Sequence, residues 1–179
     1  VWSPDGSRIA WASNREGVWH LYERAASGAG QDALLLKSDY VKFPTDWSRD
    51  GRFIIYRENN PKTKNDVWVL PVGPQTGDQK PFPFLQTEAN EAAAVLSPDG
   101  QWIAYNSDES GRYEVYVQSF PGGGSKRQVS RSGGIGPRWS RQRSDAITSA
   151  ERSGIGRRRR RPVSARTRSP GMLPSGATL

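Results

Sequence analysis

The chain has 179 residues, no cysteine, a hydrophobic fraction of 34% and a formal net charge of +8. That length supports one domain with its own core, the missing cysteines exclude disulfides and thiolate metal sites, and no run approaches the roughly 18 apolar residues of a membrane-spanning helix. The charge is local: residues 1–140 hold 16 Lys+Arg and 16 Asp+Glu, whereas residues 141–179 hold 10 Arg against Asp145 and Glu151. All aromatic residues precede residue 140, so two compositionally unrelated segments meet near residue 141. With Val1 first and Met172 the sole methionine, the sequence reads as a processed chain or a piece of a longer one.

In chain order, WSPDGSRIAW at 2–11 leads into VWHLYER at 18–24, with the turn cluster NREG between them. The phrase returns as WSRDGRFIIY at 47–56, followed by the turn-rich ENNPKTKN and then DVWVLPV at 66–72. It returns again as LSPDGQWIAY at 96–105, followed by SDESG and EVYVQSF at 114–120. Alternating apolar residues rich in Val, Ile, Trp and Tyr predict strands, and a period in the forties with strand patterning predicts propeller blades. TEANEAAAV at 87–95 has helical composition, but it stands where the other copies have a loop and an inner strand. Each unit therefore reads as four antiparallel strands, with blades over about 1–38, 42–87 and 91–131 and the first strand of a fourth at 136–141. Blade one lacks most of its first strand.

Asp5-Gly6, Asp50-Gly51 and Asp99-Gly100 are predicted to reverse the chain, because Gly accepts positive φ and Asp bonds the local backbone. The column Trp2, Trp47, Leu96 and Trp139 ends the first strand of each copy and is predicted to pack between neighbouring blades. The fourth copy, WSRQRSDAIT, loses Asp-Gly, and from residue 142 to Leu179 the chain has no periodicity. A polar, Arg-rich tail of this kind stays disordered. Translation out of frame is the hypothesis for its origin, and reading the DNA in the other two frames tests it. The run Arg157–Arg161 carries a rival reading as a basic arm for nucleic acid, which ranks below the others; specific nucleic-acid recognition is not expected.

Catalytic constellations are absent from the sequence. His20 is the sole histidine and lies in a strand-like segment, which fits a structural residue better than a general base. There is no Gly-x-Ser-x-Gly elbow, and Gly122–Gly124 lacks the Lys and Ser/Thr ending of a phosphate loop, so it reads as a turn between strands three and four of a blade. Asp108 and Glu109 read as a solvated turn rather than a cation site, since hard cations take six or more oxygens. No metal or cofactor is expected. Trp19 and Phe120 are candidates to anchor a partner if they are exposed.

The WSPDG, WSRDG and LSPDG phrases resemble the PD40, or WD40-like, β-propeller repeat of the TolB type. PTDWSRDGRFIIYRENNPKTKNDVWVLPV and EVYVQSFPGGGSKRQVSRSGGIGPRWSR further resemble propeller regions attached to bacterial serine/threonine protein kinases. The resemblance covers about residues 1–141. It implies an all-β, partial propeller acting as a non-catalytic module for protein or peptide partners, a fragment of an envelope or receptor-kinase-type sensor protein, with a periplasmic or extracytoplasmic setting. Ring closure then needs further blades or another copy of the chain. The alternative is the gating propeller of a prolyl-oligopeptidase-type serine peptidase whose catalytic domain lies elsewhere.

Overall fold

In the computed structural model the described residues are 1–73 and 80–140, together with the backbone of a short strand at Ala146–Ile147. The expectations for the rest of 142–179, including the Arg run, lie outside the described residues. Among the described residues every regular element is a strand, and no helix is long and apolar enough to cross a membrane.

The first blade is an antiparallel sheet of β1 (Arg8–Glu16), β2 (Val18–Ala25) and β3 (Ala33–Leu36) in that order. Residues 1–3 supply a shortened inner edge: Trp2 bridges Ile9, and Ala10 N donates to the Val1 carbonyl at 2.8 Å. Blade two is a full meander of β4 (Val41–Trp47), β5 (Phe53–Asn60), β6 (Lys64–Pro71) and β7 (Phe82–Leu85). Blade three repeats it with β8 (Glu91–Leu96), β9 (Trp102–Ser107), β10 (Glu114–Ser119) and β11 (Lys126–Gln128). The Ala-rich segment after Asn90 is thus a strand. Its pairing with β9 overrides the helix preference of alanine, as tertiary context commonly does.

One expectation is corrected at the fourth copy. A single strand is predicted there, but β12 (Arg138–Trp139) pairs with β13 (Ala146–Ile147), in register Arg138↔Ile147 and Trp139↔Ala146.

Period-2 alternation explains the core. Along β5, Ile54 and Tyr56 face the seam with blade one, whereas Phe53 and Ile55 face the seam with blade three. Along β6, Trp68 and Leu70 join the first seam, and Val67 and Val69 the second. Blade two is therefore apolar on both faces, and each fully buried aliphatic chain contributes about 1.5–3 kcal/mol. Burial lies between blades, so each sheet depends on its neighbour.

Candidate functional site

Three turns of one design stand at one end of the blades. Ser3, Ser48 and Ser97 donate through Oγ to Asp5, Asp50 and Asp99 Oδ1 at 2.6, 2.7 and 2.5 Å. The same hydroxyls accept from the backbone N–H groups of Arg8, Phe53 and Trp102 at 2.8, 2.8 and 2.9 Å. Gly6, Gly51 and Gly100 have φ near 72°, 75° and 69°, the left-handed region open to glycine, and each donates its N–H to the serine carbonyl at 2.9 Å. The hydrogen bonds from Ser3 and Ser7 hold the Asp5 carboxyl down at about 2. Recurrence of one local hydrogen-bond set marks these aspartates as turn formers. The serine is the partner that sequence reading passed over, although it stands in the same register in all three phrases.

The column residues separate. Trp47 is buried in the seam with blade one, where the Arg8 guanidinium lies 4.9 Å from its ring centroid. Leu96 is buried in the seam with blade two. Half-buried Trp139 donates Nε1–H to the Val95 carbonyl at 3.0 Å. Each thus rests on the blade before its own. Trp2 is 58% exposed, which corrects the prediction of a packed position: no blade precedes it among the described residues.

Between these turns opens a cavity of about 410 Å³, at the ends of β4, β8 and β12. Asp46 is its focal group. Its carboxylate accepts from Trp47 N at 2.9 Å and from Leu96 N at 2.7 Å, so one side chain ties blade two to blade three. Burial raises its pKa; the two backbone donors and the positive charges of Arg138 and Arg49 act against that. Arg49 and Arg138 are exposed, and Trp139, Ser97 and Ser140 are among the other residues of the wall. With two guanidiniums against one carboxyl, the charged side chains that line the cavity are cationic on balance. Two guanidiniums beside an indole suit a carboxylate or a peptide acceptor group.

The other candidates do not join this cavity. His20 is buried at 3% exposure, and its Nδ1 lacks a hydrogen-bond partner, so it has no route to a solvent-borne substrate. Phe120 is also buried, edge-on to Phe53 at 5.6 Å, which removes it as a partner anchor. Trp19 remains 36% exposed, tilted against Phe43 at 5.4 Å. Asp108 accepts from Asn90 N and Nδ2, both at 2.8 Å, and Glu109 pairs with Lys126. Among the described residues no group of three His, Cys, Asp or Glu is placed to hold a metal ion. Gly122–Gly124 joins β10 to β11.

Consecutive antiparallel sheets, each beginning at an inner strand that packs on the sheet before it, define a partial β-propeller. No protein-family model matches the chain. Over 137 residues it is 31% identical to the Tol-Pal system protein TolB of Anaeromyxobacter dehalogenans strain 2CP-C, a match covering 74% of this chain. The chain spans 29% of the length of that relative. The putative TolB structure from Agrobacterium tumefaciens aligns with a TM-score of 0.67 at 24% identity, over 76% of this chain and 47% of that one. A prolyl endopeptidase structure aligns with a TM-score of 0.54 at 15% identity, over 76% of this chain and 22% of that one, a likeness of fold alone. The chain is a TolB-like β-propeller segment.

Proposed function

We propose that this chain is the recognition part of a non-catalytic propeller protein, and that the cavity around Asp46 receives an acidic group of a protein or peptide partner. The observation that carries this reading is the placement of exposed Arg49 and Arg138 in one cavity with a single carboxylate, Asp46, whose two oxygens each accept from a backbone amide, of Trp47 and of Leu96. An anion meets two forked donors there, and a rigid multi-blade frame fixes their spacing, which limits the ordering cost of binding. The TolB likeness supports a protein-binding role over a catalytic one. It also favours an envelope protein as the parent, with the remaining blades or a second copy closing the ring; a receptor-kinase-type sensor is the finer reading, and it rests on the resemblance of the repeat phrases alone. An upstream kinase segment or a downstream Gly-x-Ser-x-Gly in the complete reading frame distinguishes the sensor from a peptidase-gating propeller.

The binding test titrates the chain with a Glu-rich hexapeptide and a Lys-rich one while following tryptophan fluorescence. The acidic peptide binds in a salt-sensitive way, and Arg49→Ala with Arg138→Ala weakens it by about a hundredfold or more, in line with losing about 1.5–3 kcal/mol per charged hydrogen bond. Equal affinity for both peptides, or an unchanged affinity in the double variant, overturns the assignment.

A further inference from the structure

At the end of the blades away from the turns lie three glutamates with almost no exposure, and their surroundings differ. Glu58 is approached by the Lys42 amine at 3.6 Å and by Ser38 Oγ at 3.3 Å. Glu114 accepts from Arg112 Nε and Gly133 N, both at 2.8 Å, and from Ser130. Glu91, 1% exposed at the start of β8, accepts from Thr87 Oγ1 at 2.5 Å, and its Oε2 has no partner. No cation pairs with it among the described residues. On the neighbouring blade Asp66, 0% exposed in β6, is in the same condition: Thr63 Oγ1 at 2.6 Å and Gln86 Nε2 at 3.4 Å reach Oδ2, and Oδ1 is bare. Consecutive residues Gln86 and Thr87 thus hold one carboxyl each, across the connection from blade two to blade three. Asn65 Nδ2 donates to Asn90 Oδ1 at 3.1 Å beside them.

We propose that Glu91 is held in the folded chain as a neutral carboxylic acid, which makes the connection between blades two and three a proton-dependent joint. A buried carboxylate without a cation or amide donors is costly, and the group keeps its proton instead. The groups facing it agree. Asp66 on β6 and Glu109 in the β9–β10 turn are like charges, and Lys126 on β11, itself engaged with Glu109, opposes them weakly. Glu114 lies in the same cross-strand row through Ser107, ionised and saturated by its own donors. Asp66 in turn faces Glu58 across β5–β6, which is matched by Lys42. Burial, followed by these charges, raises the Glu91 carboxyl to about 7. The folded chain therefore binds this proton more tightly than the unfolded chain. The contribution to stability is complete below the ordinary glutamate range and is lost as pH rises through about 7.

The test compares urea midpoints of the chain, of Glu91→Gln and of Asp66→Asn between about pH 5.5 and pH 8.5. The wild-type midpoint falls across neutrality, Glu91→Gln abolishes that fall, and Asp66→Asn moves it to lower pH by removing a like charge. Infrared spectra of the wild-type chain with labelled glutamate carboxyls give a second readout: a protonated acid persists at pH 6 and disappears by pH 8.5. A fall retained in Glu91→Gln, or no protonated acid at pH 6, overturns the proposal. So does a midpoint raised by calcium chloride in the wild type alone, which assigns the two carboxylates to a cation.

Discussion

The two ends of the blades solve the same problem, reversing a chain between packed sheets, in opposite ways. At the turn end a Ser-x-Asp-Gly unit closes on itself through hydrogen bonds between residues two to five apart, and blade after blade uses the same atoms. At the other end Lys42–Glu58, Asp66, Glu91 and Glu114 lie buried with no shared design: Glu58 has a lysine and Glu114 its own donors, whereas Asp66 and Glu91 each keep a bare oxygen. Local, repeated chemistry tolerates single losses. Unique, buried charge does not.

That contrast is broken most directly at Glu58. Glu58→Ala leaves the Lys42 amine, with 0% side-chain exposure, without its counter-charge, and is expected to cost about 3–5 kcal/mol, whereas Lys42→Met with Glu58→Leu recovers most of the loss. Urea unfolding of the single and double variants measures both; equal losses would mean that packing and not charge governs this end. The column supplies the next comparison. Trp47→Ala is expected to cost about 3–5 kcal/mol through the cavity it leaves, and Trp2→Ala, at an exposed position, within about 0.5 kcal/mol. The effect at the turns falls between those of the two column positions. A Cβ on Gly51 meets only Pro4 Cγ at 3.7 Å, and one on Gly100 meets nothing within 4 Å, so each change to alanine carries only the left-handed backbone penalty, about 1–2 kcal/mol. As the two turns share no partner, the double variant is expected to lose the sum. A marked departure from additivity in unfolding midpoints would show that the turns communicate.

The turn end was legible because its causes are near in sequence: Asp, Gly and an alternating strand announce a reversal wherever they stand together. The seams were half legible. Alternation in Phe53-Ile54-Ile55-Tyr56 gives two apolar faces, but which neighbour each face meets is decided by ring geometry, and so Trp2 and Trp47, alike in their phrases, end in different surroundings. Phe120 shows the same limit, since a loop-edge aromatic in sequence becomes a seam residue once Phe53 and Phe84 close over it. The buried charges were not legible. Glu91 sits in a run of Glu, Ala and Asn of helical composition, where nothing marks one carboxyl as buried, and its burial follows from blade two covering it. Asp46 was equally silent, because its amide partner on Leu96 is 50 residues away.

Each column side chain rests on the sheet before its own, so the phrase that recurs along the chain is offset from the body that closes in space. Swapping whole phrases between such proteins therefore carries half of an interface with them and abandons the other half. Exchanges that cut instead within the connections around residues 37–40 and 86–90 keep each tryptophan or leucine with the strand that bears it, but leave it to find its seat on a foreign neighbour. Modularity in this architecture belongs to the junctions as much as to the blades.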